Sequence, residues 1–353
     1  MGQGRRDRRK LVKLDDVAAA AGVSTATVRR VIGGDIAVRK ATRERVDSAI
    51  NALKYSPTTF ALAAIARRPV KVALLHFGTA SESLDEFLVG ALEQARARHV
   101  AREFDHVRFQ RSPLSEYFSS SVDGIILSPP ATCNDIIRRA VSHLALPMVA
   151  VGCASRSCWD MTVNIDGGDA AYDMTHHVAG LGHHRIGLMT AGPISENDHA
   201  QGYLRAISDV GCRPSPELIV QDCGTYRSAL DGVERLLALA DPPSAIVTSR
   251  DDSAAAVIAV ATARGLEVPS DLTVCGLNDS AFSRNIWPAI TTIRQPTREM
   301  SVRAVDLLVN AVKLRRLGRM SELVERNIKL DHHLMRRQSD SAPRQRPKAA
   351  RHF

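Results

Sequence analysis

The stretch LDDVAAAAGVSTATVRRVI, residues 14–32, decides the fold of the N-terminal part of this 353-residue chain. It predicts two short helices separated by a turn at Gly22, because glycine adopts the backbone conformation of a tight turn without steric cost. Asp15 and Ser24 are the predicted N-caps, since their side-chain oxygens can accept the free N–H groups of a first turn. A third helix is predicted from about Ala41 to Leu53. Together these helices form a helix-turn-helix pattern.

The second of these helices carries side chains suited to reading DNA. Val17, Val28 and Val31 are expected to face the interior, with Ala18 as the small residue where the helices cross. The outward positions fit a major groove, where arginine bonds guanine bidentately and threonine or alanine contacts a thymine methyl group. The candidate base-reading residues are Thr25, Ala26, Thr27, Arg29 and Arg30.

The positive charge of the chain is concentrated at its two ends. The net charge is +9, and residues 1–68 contain 15 Lys and Arg against 6 Asp and Glu. Residues 69–331 contain 26 against 31, and residues 332–353 contain 6 against 1. A basic head on a mildly acidic body is typical of a protein of which one part contacts phosphate. The charge therefore favours double-stranded DNA as a partner of the N-terminal part.

The rest of the chain alternates apolar, strand-like runs with amphipathic helices. The runs include VALLHF, VDGIILS, PMVAVG, RIGLMTAG, AIVTS and LTVCGL. Continuous apolar strands between helices predict an α/β fold with parallel sheets covered on both faces. The predicted division is a basic arm (1–13), a helix-turn-helix headpiece (14–57), a hinge linker (58–69), a sensor domain (70–331) and a disordered basic tail (332–353).

These motifs follow one another in an order that resembles the LacI/GalR (lactose-repressor) family of transcriptional regulators. The resemblance begins with residues 14–32 and ATRERVDSAINALKYSP, and it continues through VDGIILSPP, VNIDGGDAA, LGHHRIGLMTAG, GYLRAI, GLEVPSDLTVCGLNDS and PAITTIRQP. It implies an all-α headpiece and a periplasmic-binding-protein-like sensor of two lobes joined by three crossovers. It also implies a homodimer on a pseudo-palindromic operator, because the two-fold symmetry of the protein is mirrored in the DNA.

An apolar stripe on the helix predicted at Phe87 to Arg98 has two interpretations. Leu88, Leu92 and Ala95 share one face and are candidates for the dimer interface. Packing against the core of the sensor domain explains the same spacing equally well. The sequence leaves both interpretations open.

The resemblance also places candidate contacts in the linker and in the sensor domain. In the linker, an apolar side chain would wedge into the minor groove. The candidates are Leu62, Ala64 and Ile65, and the alternative is that this segment packs against the body. The effector cleft would lie at the carboxyl ends of the strands, between the lobes. Its candidate residues are Ser81, Ser83, His199, Arg250, Asp251, Asn278 and Asp279.

Three of these positions depart from the family pattern and bear on the chemistry of the effector. His199 stands where the resemblance expects an arginine, Arg250 where it expects an amide, and Asn278 where it expects an acidic residue. An unpaired Arg250 would favour an effector that carries a carboxylate or phosphate, such as a sugar acid or sugar phosphate. If Asp251 or Asp279 neutralises Arg250 instead, the pocket suits a neutral saccharide.

Other classes of protein find little support in the sequence. The chain lacks the nucleophile-elbow and phosphate-loop patterns, so we expect no enzyme. Its paired histidines and six scattered cysteines lack metal-ligand spacing, so neither a metal nor a cofactor is expected. No apolar run has the length of a membrane span and no secretion signal follows the basic N-terminus, which predicts a cytoplasmic protein.

The predicted function is that of a DNA-binding transcriptional regulator, more specifically a repressor. Its operator affinity would be controlled by a small-molecule effector, a carbohydrate or related metabolite, bound between the lobes. The alternative is a solute-binding protein of a transporter that shares the body but does not bind DNA.

Overall fold

The computed structural model describes residues 12–32, 38–53, 55, 68–76, 82–100, 106–108, 122–128, 138–139, 141, 143–152, 159–191, 197–222 and 226–344. The linker candidates Leu62, Ala64 and Ile65 and the cleft candidate Ser81 lie outside these residues, and Ser83 falls in the first turn of a helix. Among the described residues no helix combines the length and apolar character needed to cross a membrane.

Three helices form the headpiece: α1 (Leu14–Ala21), α2 (Thr25–Ile32) and α3 (Lys40–Leu53). The predicted turn is confirmed, because Gly22 has a φ of 64°, in the left-handed region that glycine tolerates. Ser24 caps α2 as predicted, since its Oγ accepts the Thr27 N–H at 3.1 Å. The prediction for Asp15 is wrong. Helix α1 begins at Leu14 with Lys13 as its N-cap, two residues before the predicted cap, and the Asp16 carboxylate accepts the Lys13 N–H at 2.7 Å.

The headpiece has its own small core, in which side chains of all three helices meet. Its fully buried members are Val17, Ala18, Ala21, Val28, Val31, Val46 and Ala49. This confirms the inward positions predicted for α1 and α2. Because the valines at 28 and 31 are used in packing, the intervening residues of α2 are turned toward solvent.

Within its described residues the sensor domain contains two six-stranded sheets, one in each lobe. The N-lobe sheet is entirely parallel, with strand order β11-β5-β4-β3-β1-β2. Its strands are β1 (Val72–His76), β2 (His106–Arg108), β3 (Gly124–Leu127), β4 (Met148–Val151), β5 (Thr162–Ile165) and β11 (Asn327–Leu330). The C-lobe sheet has the order β12-β10-β9-β8-β6-β7, and only β12 is antiparallel to its neighbour. Its strands are β6 (Ile186–Ala191), β7 (Ile219–Asp222), β8 (Ala245–Thr248), β9 (Thr273–Asn278), β10 (Thr291–Arg294) and β12 (His333–Met335).

Helices cover these sheets, as the α/β prediction requires. On the N-lobe, α4 (Glu82–Ala97) packs beside α10 (Thr297–Arg316). On the C-lobe, α5 (Gly167–Gly180) and α6 (Asp198–Asp209) lie over one face of the sheet. The opposite face is covered by α7 (Tyr226–Leu237) and α8 (Asp251–Ala263), and a short α9 (Ala281–Asn285) follows β9.

In the described part of the chain there are three passages between the lobes, the number that the family resemblance implies. The first crossover joins β5 to α5, and the second joins β10 to α10. The third joins β11 of the N-lobe sheet to β12 of the C-lobe sheet within a few residues. Helix α10 therefore follows a C-lobe strand but packs on the N-lobe.

The apolar stripe on α4 is divided between core and surface. Ala95 is buried in the N-lobe core and Leu88 packs against that core, so core packing explains these two residues. Leu92 is 37% exposed and its neighbour Val89 is 48% exposed. The prediction of an interface stays a prediction, and it now rests on these two exposed side chains.

The prediction of a disordered tail from residue 332 is wrong for residues 332–344. Strand β12 lies in this segment, and the Ser339 Oγ accepts the Thr291 N–H at 2.8 Å. The buried Asp340 carboxylate is 2.8 Å from His177 Nε2 on α5. The polar side chains of this segment are ordered because they form hydrogen bonds with the C-lobe. Residues 345–353 lie outside the described part of the chain.

Candidate DNA interface and ligand cleft

The exposed face of α2 brings the predicted base-reading residues together. Ala26, Arg29 and Arg30 are exposed, while Thr25 is partly buried. Thr27 is also partly buried, and its Oγ1 is 2.9 Å from Ser24 Oγ, so its hydroxyl takes part in the cap. An exposed helix with two adjacent arginines has the dimensions and the donors needed for the major groove of DNA.

The candidate ligand cleft includes, in its described part, residues that follow the strands. Asp166 follows β5, Arg250 follows β8, and Asn278 ends β9. His199 belongs to the first turn of α6, close to the start of α5: a Cβ atom at Gly167 would lie 3.1 Å from His199 Nε2. The carboxyl ends of the strands in the two lobes are where an open α/β fold binds its ligand.

His199 presents an uncharged ring to this region. The ring is partly buried, and desolvation lowers its pKa to about 4 from the ordinary value of 6.5. The neutral imidazole is therefore the form present at pH 7, and it offers one donor and one acceptor. A positive charge, which an arginine would supply at this position, is absent at His199.

Arg250 is paired within the protein, by a carboxylate that the sequence analysis did not select. Its Nε and one terminal nitrogen each donate to the Asp252 carboxylate at 2.8 Å, in a bidentate ion pair. Neither Asp251 nor Asp279 is this partner. The premise of an unpaired Arg250, on which the anionic effector was predicted, is thus wrong.

Asp251 has a supporting position in the C-lobe. Its side chain is buried, and its two oxygens accept the Thr292 hydroxyl and the Ser280 N–H, each at 2.6 Å. Burial raises the pKa of Asp251, while these hydrogen bonds act in the opposite direction. The carboxyl group thereby joins the start of α8 to β10 and to the loop after β9.

Asp279 is a buried carboxylate at the centre of a cluster of partly exposed arginines. It has a positive φ of 53°, and its side chain is 2% exposed. Arg294 Nε donates to it at 2.5 Å, Arg284 lies 3.4 Å away, and Arg337 of the C-terminal segment completes the cluster. Burial alone would raise the pKa of Asp279, but the hydrogen bonds and charges of Arg337 and Arg294 outweigh it and lower the pKa.

Asn278 and its neighbours offer polar groups at the end of β9. The Asn278 side-chain oxygen accepts a hydrogen bond from Gln295 Nε2 at 2.7 Å, and the Asn278 N–H donates to Thr292. Asn278 is partly exposed, and within the described residues its side-chain amide N–H groups are candidates for bonding a ligand. Gln295 was missed by the sequence analysis because it is 17 residues away from Asn278 along the chain.

A second group of charges lies at the crossovers. Lys329 of β11 is 3.0 Å from the Asp166 carboxylate and 2.9 Å from that of Asp169, which also receives Arg205 at 2.8 Å. Asp166 is in addition the N-cap of α5, since it accepts the Asp169 N–H. The network joins the first and third crossovers, and its charges compensate one another.

Two family models match the chain over these regions. The model of the bacterial regulatory proteins of the lacI family matches residues 13–58. The model of the periplasmic binding protein-like domain matches residues 175–339. The helix-turn-helix of residues 13–58 is therefore of the lacI-family type, and the sensor domain is periplasmic-binding-protein-like. The fold class of the chain, a helical headpiece with a two-lobed α/β domain, is the one predicted from sequence.

The chain aligns with known regulatory proteins over most of their length. The chain is 28% identical over 339 residues to the HTH-type transcriptional regulator RegA of Clostridium saccharobutylicum, which covers 92% of this chain and 98% of RegA. It is 27% identical over 304 residues to catabolite control protein A of Priestia megaterium, with coverages of 84% and 91%. The solved transcriptional regulator CelR–cellobiose complex shares 28% identity with a TM-score of 0.66, covering 93% of this chain and 100% of that one.

With this headpiece the chain is a DNA-binding transcriptional regulator, and the relatives named above are regulators rather than enzymes. The alternative of a solute-binding protein is not favoured, because such a protein does not bind DNA and does not need the DNA-binding headpiece of residues 13–58.

The neutral His199 leads to a pH-dependent prediction. Because its pKa is depressed in the folded state, the unfolded chain binds the additional proton between pH 6.5 and about 4. Stability is therefore lost as the pH falls through this window, by about 3 kcal/mol in total for this residue. We expect His199→Gln to flatten the pH dependence of the unfolding free energy, measured by urea denaturation, between pH 6.5 and 4.5. An unchanged slope would show that the ring is fully hydrated.

Proposed function

We propose that the chain is a dimeric repressor that binds a pseudo-palindromic operator and changes its operator affinity when a neutral carbohydrate-type ligand binds between the lobes. The observation that carries this proposal is the combination of two features. First, the exposed face of α2 carries two solvent-exposed arginines, while its opposite face packs into the headpiece core. Second, the described charged side chains of the candidate cleft form ion pairs with one another.

The DNA contacts of the proposal divide into two groups. Thr25, Ala26, Thr27, Arg29 and Arg30 of α2 would read base edges in the major groove. The linker, with Leu62, Ala64 and Ile65, would supply the apolar wedge in the minor groove. The arm of residues 1–13 would add phosphate contacts, which strengthen binding without regard to sequence.

The ligand would meet polar but uncharged or charge-compensated groups. Arg250 is matched by Asp252, and His199 is neutral at pH 7. A ligand therefore needs no charge of its own to avoid leaving a buried ion unpaired. The hydroxyl groups of a saccharide suit the donors and acceptors of Ser81, Ser83, His199, Asn278 and the Arg250–Asp252 pair. The CelR–cellobiose complex, a structural neighbour with a neutral disaccharide, supports this ligand class.

Asp251 and Asp279 have a different role in the proposal. Their oxygens are occupied by groups of the protein, so they hold the loop after β9 in place rather than contact the ligand. The sensor domain would extend to about residue 344, because residues 332–344 pack on the C-lobe.

The ligand would act by favouring one arrangement of the lobes. A ligand can shift such an equilibrium only through different affinities for the two states. The linkers of the two subunits would then order beside each other in one arrangement and separate in the other. A coupling of about 1 to 3 kcal/mol between ligand and DNA is expected for this kind of regulator.

The ligand class is tested by a thermal-shift panel that pairs neutral mono- and disaccharides with their uronic acids and phosphates. We expect a neutral member to stabilise the protein most, since a ligand at 100 times its dissociation constant contributes about 2.7 kcal/mol. Asn278→Ala should reduce that shift, and Arg303→Gln, on α10, should leave it unchanged. Stabilisation by acids or phosphates alone would contradict the neutral class.

DNA binding and dimerisation are tested together. DNA fragments selected from a random pool by the full chain should share a pseudo-palindromic sequence, and light scattering should give the mass of a dimer at micromolar concentration. Failure to enrich any sequence, or a monomer with full affinity for the selected site, would refute the proposed mode of action.

A further inference from the structure

The last turn of α10 carries a buried arginine whose partners lie where the linker joins the sensor domain. The Arg316 side chain is 8% exposed. One terminal nitrogen donates to the Arg68 carbonyl at 2.8 Å, and the other donates to the Pro69 carbonyl at 3.1 Å and to the Asp123 carboxylate at 2.8 Å. Arg316 thus donates hydrogen bonds to three acceptors in two segments, residues 68–69 and residue 123, that are distant from it in sequence.

Asp123 extends this arrangement to the first strand of the sensor domain. Its carboxylate also accepts the Lys71 N–H at 2.9 Å, and its own N–H donates to the Lys71 carbonyl at 2.8 Å. Both sides of Pro69 are therefore held, at the Arg68 carbonyl and at Lys71. We call Arg316, Asp123 and the backbone of residues 68–71 the linker clamp.

Helix α10 is a rigid support for the linker clamp. It has 20 residues, which corresponds to a length of about 30 Å. It packs closely on α4, since a Cβ atom at Gly90 would lie 2.7 Å from the Arg298 carbonyl oxygen. At its other end the preceding residues are tied to the C-lobe, through Arg294 to Asp279 and through Gln295 to Asn278. The helix thus begins at a lobe crossover and ends at the linker.

We propose that Arg316 is a positioning residue that fixes the direction in which the DNA-binding linker leaves the N-lobe, so that movement of the lobe is transmitted to the headpiece. The inference rests on the proposed function. A movement of the N-lobe changes the position of the linker only if the junction between them is rigid. A buried guanidinium with donors in fixed geometry makes the junction rigid. Lysine, a point charge on a flexible stem, lacks the planar fork that addresses all three acceptors.

A purely structural role for Arg316 makes a different prediction. In that case its loss lowers the stability of the N-lobe, but the folded fraction binds DNA as before. A positioning role instead weakens binding to the operator in the folded protein and exposes the backbone at the junction. Operator affinity of the folded protein separates the two roles, and the cleavage rate supports the separation when the control variant on the same helix leaves it unchanged.

The experiment compares full-length Arg316→Gln with Arg303→Gln, which removes the same charge from the same helix at a site whose partner, Glu325, is 3.8 Å away and largely exposed. Binding is measured by fluorescence anisotropy, on a duplex selected by the parent chain and on random DNA. Trypsin cleavage after Arg67, one residue before the linker clamp, is measured on the free protein at a temperature where all variants are folded.

We expect Arg316→Gln to weaken binding to the selected duplex about tenfold, the loss of roughly one charged hydrogen bond. Random DNA should be bound equally well, and cleavage after Arg67 should accelerate about fivefold, while Arg303→Gln changes each value less than about twofold. If Arg316→Gln leaves both operator binding and cleavage unchanged, or if Arg303→Gln causes the same losses, the proposal is overturned.

A second variant covers the case in which Arg316→Gln does not fold. Asp123→Asn keeps the size of the side chain and an acceptor for Lys71, but it removes the charge that holds Arg316. It should accelerate cleavage after Arg67 about threefold, consistent with a weakened charged hydrogen bond, and an unchanged rate would count against the linker clamp. Failure of the proposed function would appear separately, as absence of sequence preference in the parent chain, and the cleavage test does not depend on it.

Discussion

Asp279→Ala is expected to lower the free energy of unfolding by about 3 kcal/mol, because it leaves three arginines around an empty position in the C-lobe. The value is at the low end for a buried charge cluster, since Arg294 and Arg284 are 45% and 31% exposed and can be partly hydrated. Urea denaturation at pH 7, followed by circular dichroism, measures the loss.

The control for this prediction is Glu322→Ala, which also removes a carboxylate paired with an arginine. Glu322 and its partner Arg319 are both about half exposed, so the loss should be far smaller. The pH dependence gives a second check. Because the pKa of Asp279 is lowered from 3.8, its contribution is present above that pH and disappears as the pH falls through the depressed pKa. The difference between the parent and Asp279→Ala should therefore shrink in strong acid, and a constant difference would show that packing, not charge, is lost.

The second large effect is expected on DNA binding. Arg29→Ala or Arg30→Ala, whichever side chain bonds a guanine, should cost about 1 to 3 kcal/mol per half-site and so about 2 to 6 kcal/mol for a dimer on both half-sites. The loss should relax the base preference at one position of each half-site, whereas loss of a phosphate contact weakens all sequences equally. Selection of DNA by each variant, followed by titration of parent and variant sites, measures both effects.

Arg45→Ala serves as the matched control for these variants. Arg45 is an exposed arginine on α3 of the same headpiece and was not among the candidate base-reading residues. Its removal should leave the base preference unchanged, even if phosphate binding weakens. If the selected sequences are the same for Arg29→Ala, Arg30→Ala and the parent, base reading does not depend on these two residues.

The headpiece could be predicted closely because its determinants are local. The Ser24 cap is completed by the Thr27 N–H three residues later, and Gly22 provides the left-handed turn by itself. The error at Asp15 was also local: the helix begins at Leu14, and the carboxylate that accepts the N–H of its N-cap residue Lys13 is that of Asp16 rather than that of Asp15. The partners of such capping and turn residues lie within one or two helical turns along the chain, so these residues can be recognised from the local sequence.

The candidate cleft shows where local patterns stop being sufficient. The position of Arg250 after a strand was predicted correctly, whereas the carboxylates expected to pair with it were those of Asp251 and Asp279. In the structure Asp251 turns inward to Thr292 and Ser280, which leaves Asp252 for Arg250. Adjacent carboxylates point in different directions on a helix, so their roles depend on what the fold places around them.

What the sequence by itself determined was the set of elements: the helix-turn-helix, the apolar strands, their alternation with helices, and through the family resemblance the two lobes with three crossovers. These follow from propensity, periodicity and the order of motifs along the chain. Only the tertiary structure decided the partners of the charged groups. Asp279 meets Arg337, 58 residues away, and Arg316 meets Arg68, 248 residues away. The polar segment 332–344 likewise became ordered only because the C-lobe supplies its hydrogen bonds. The physical reason is that an ion pair depends on distance in space, which the spacing of residues along a chain does not contain.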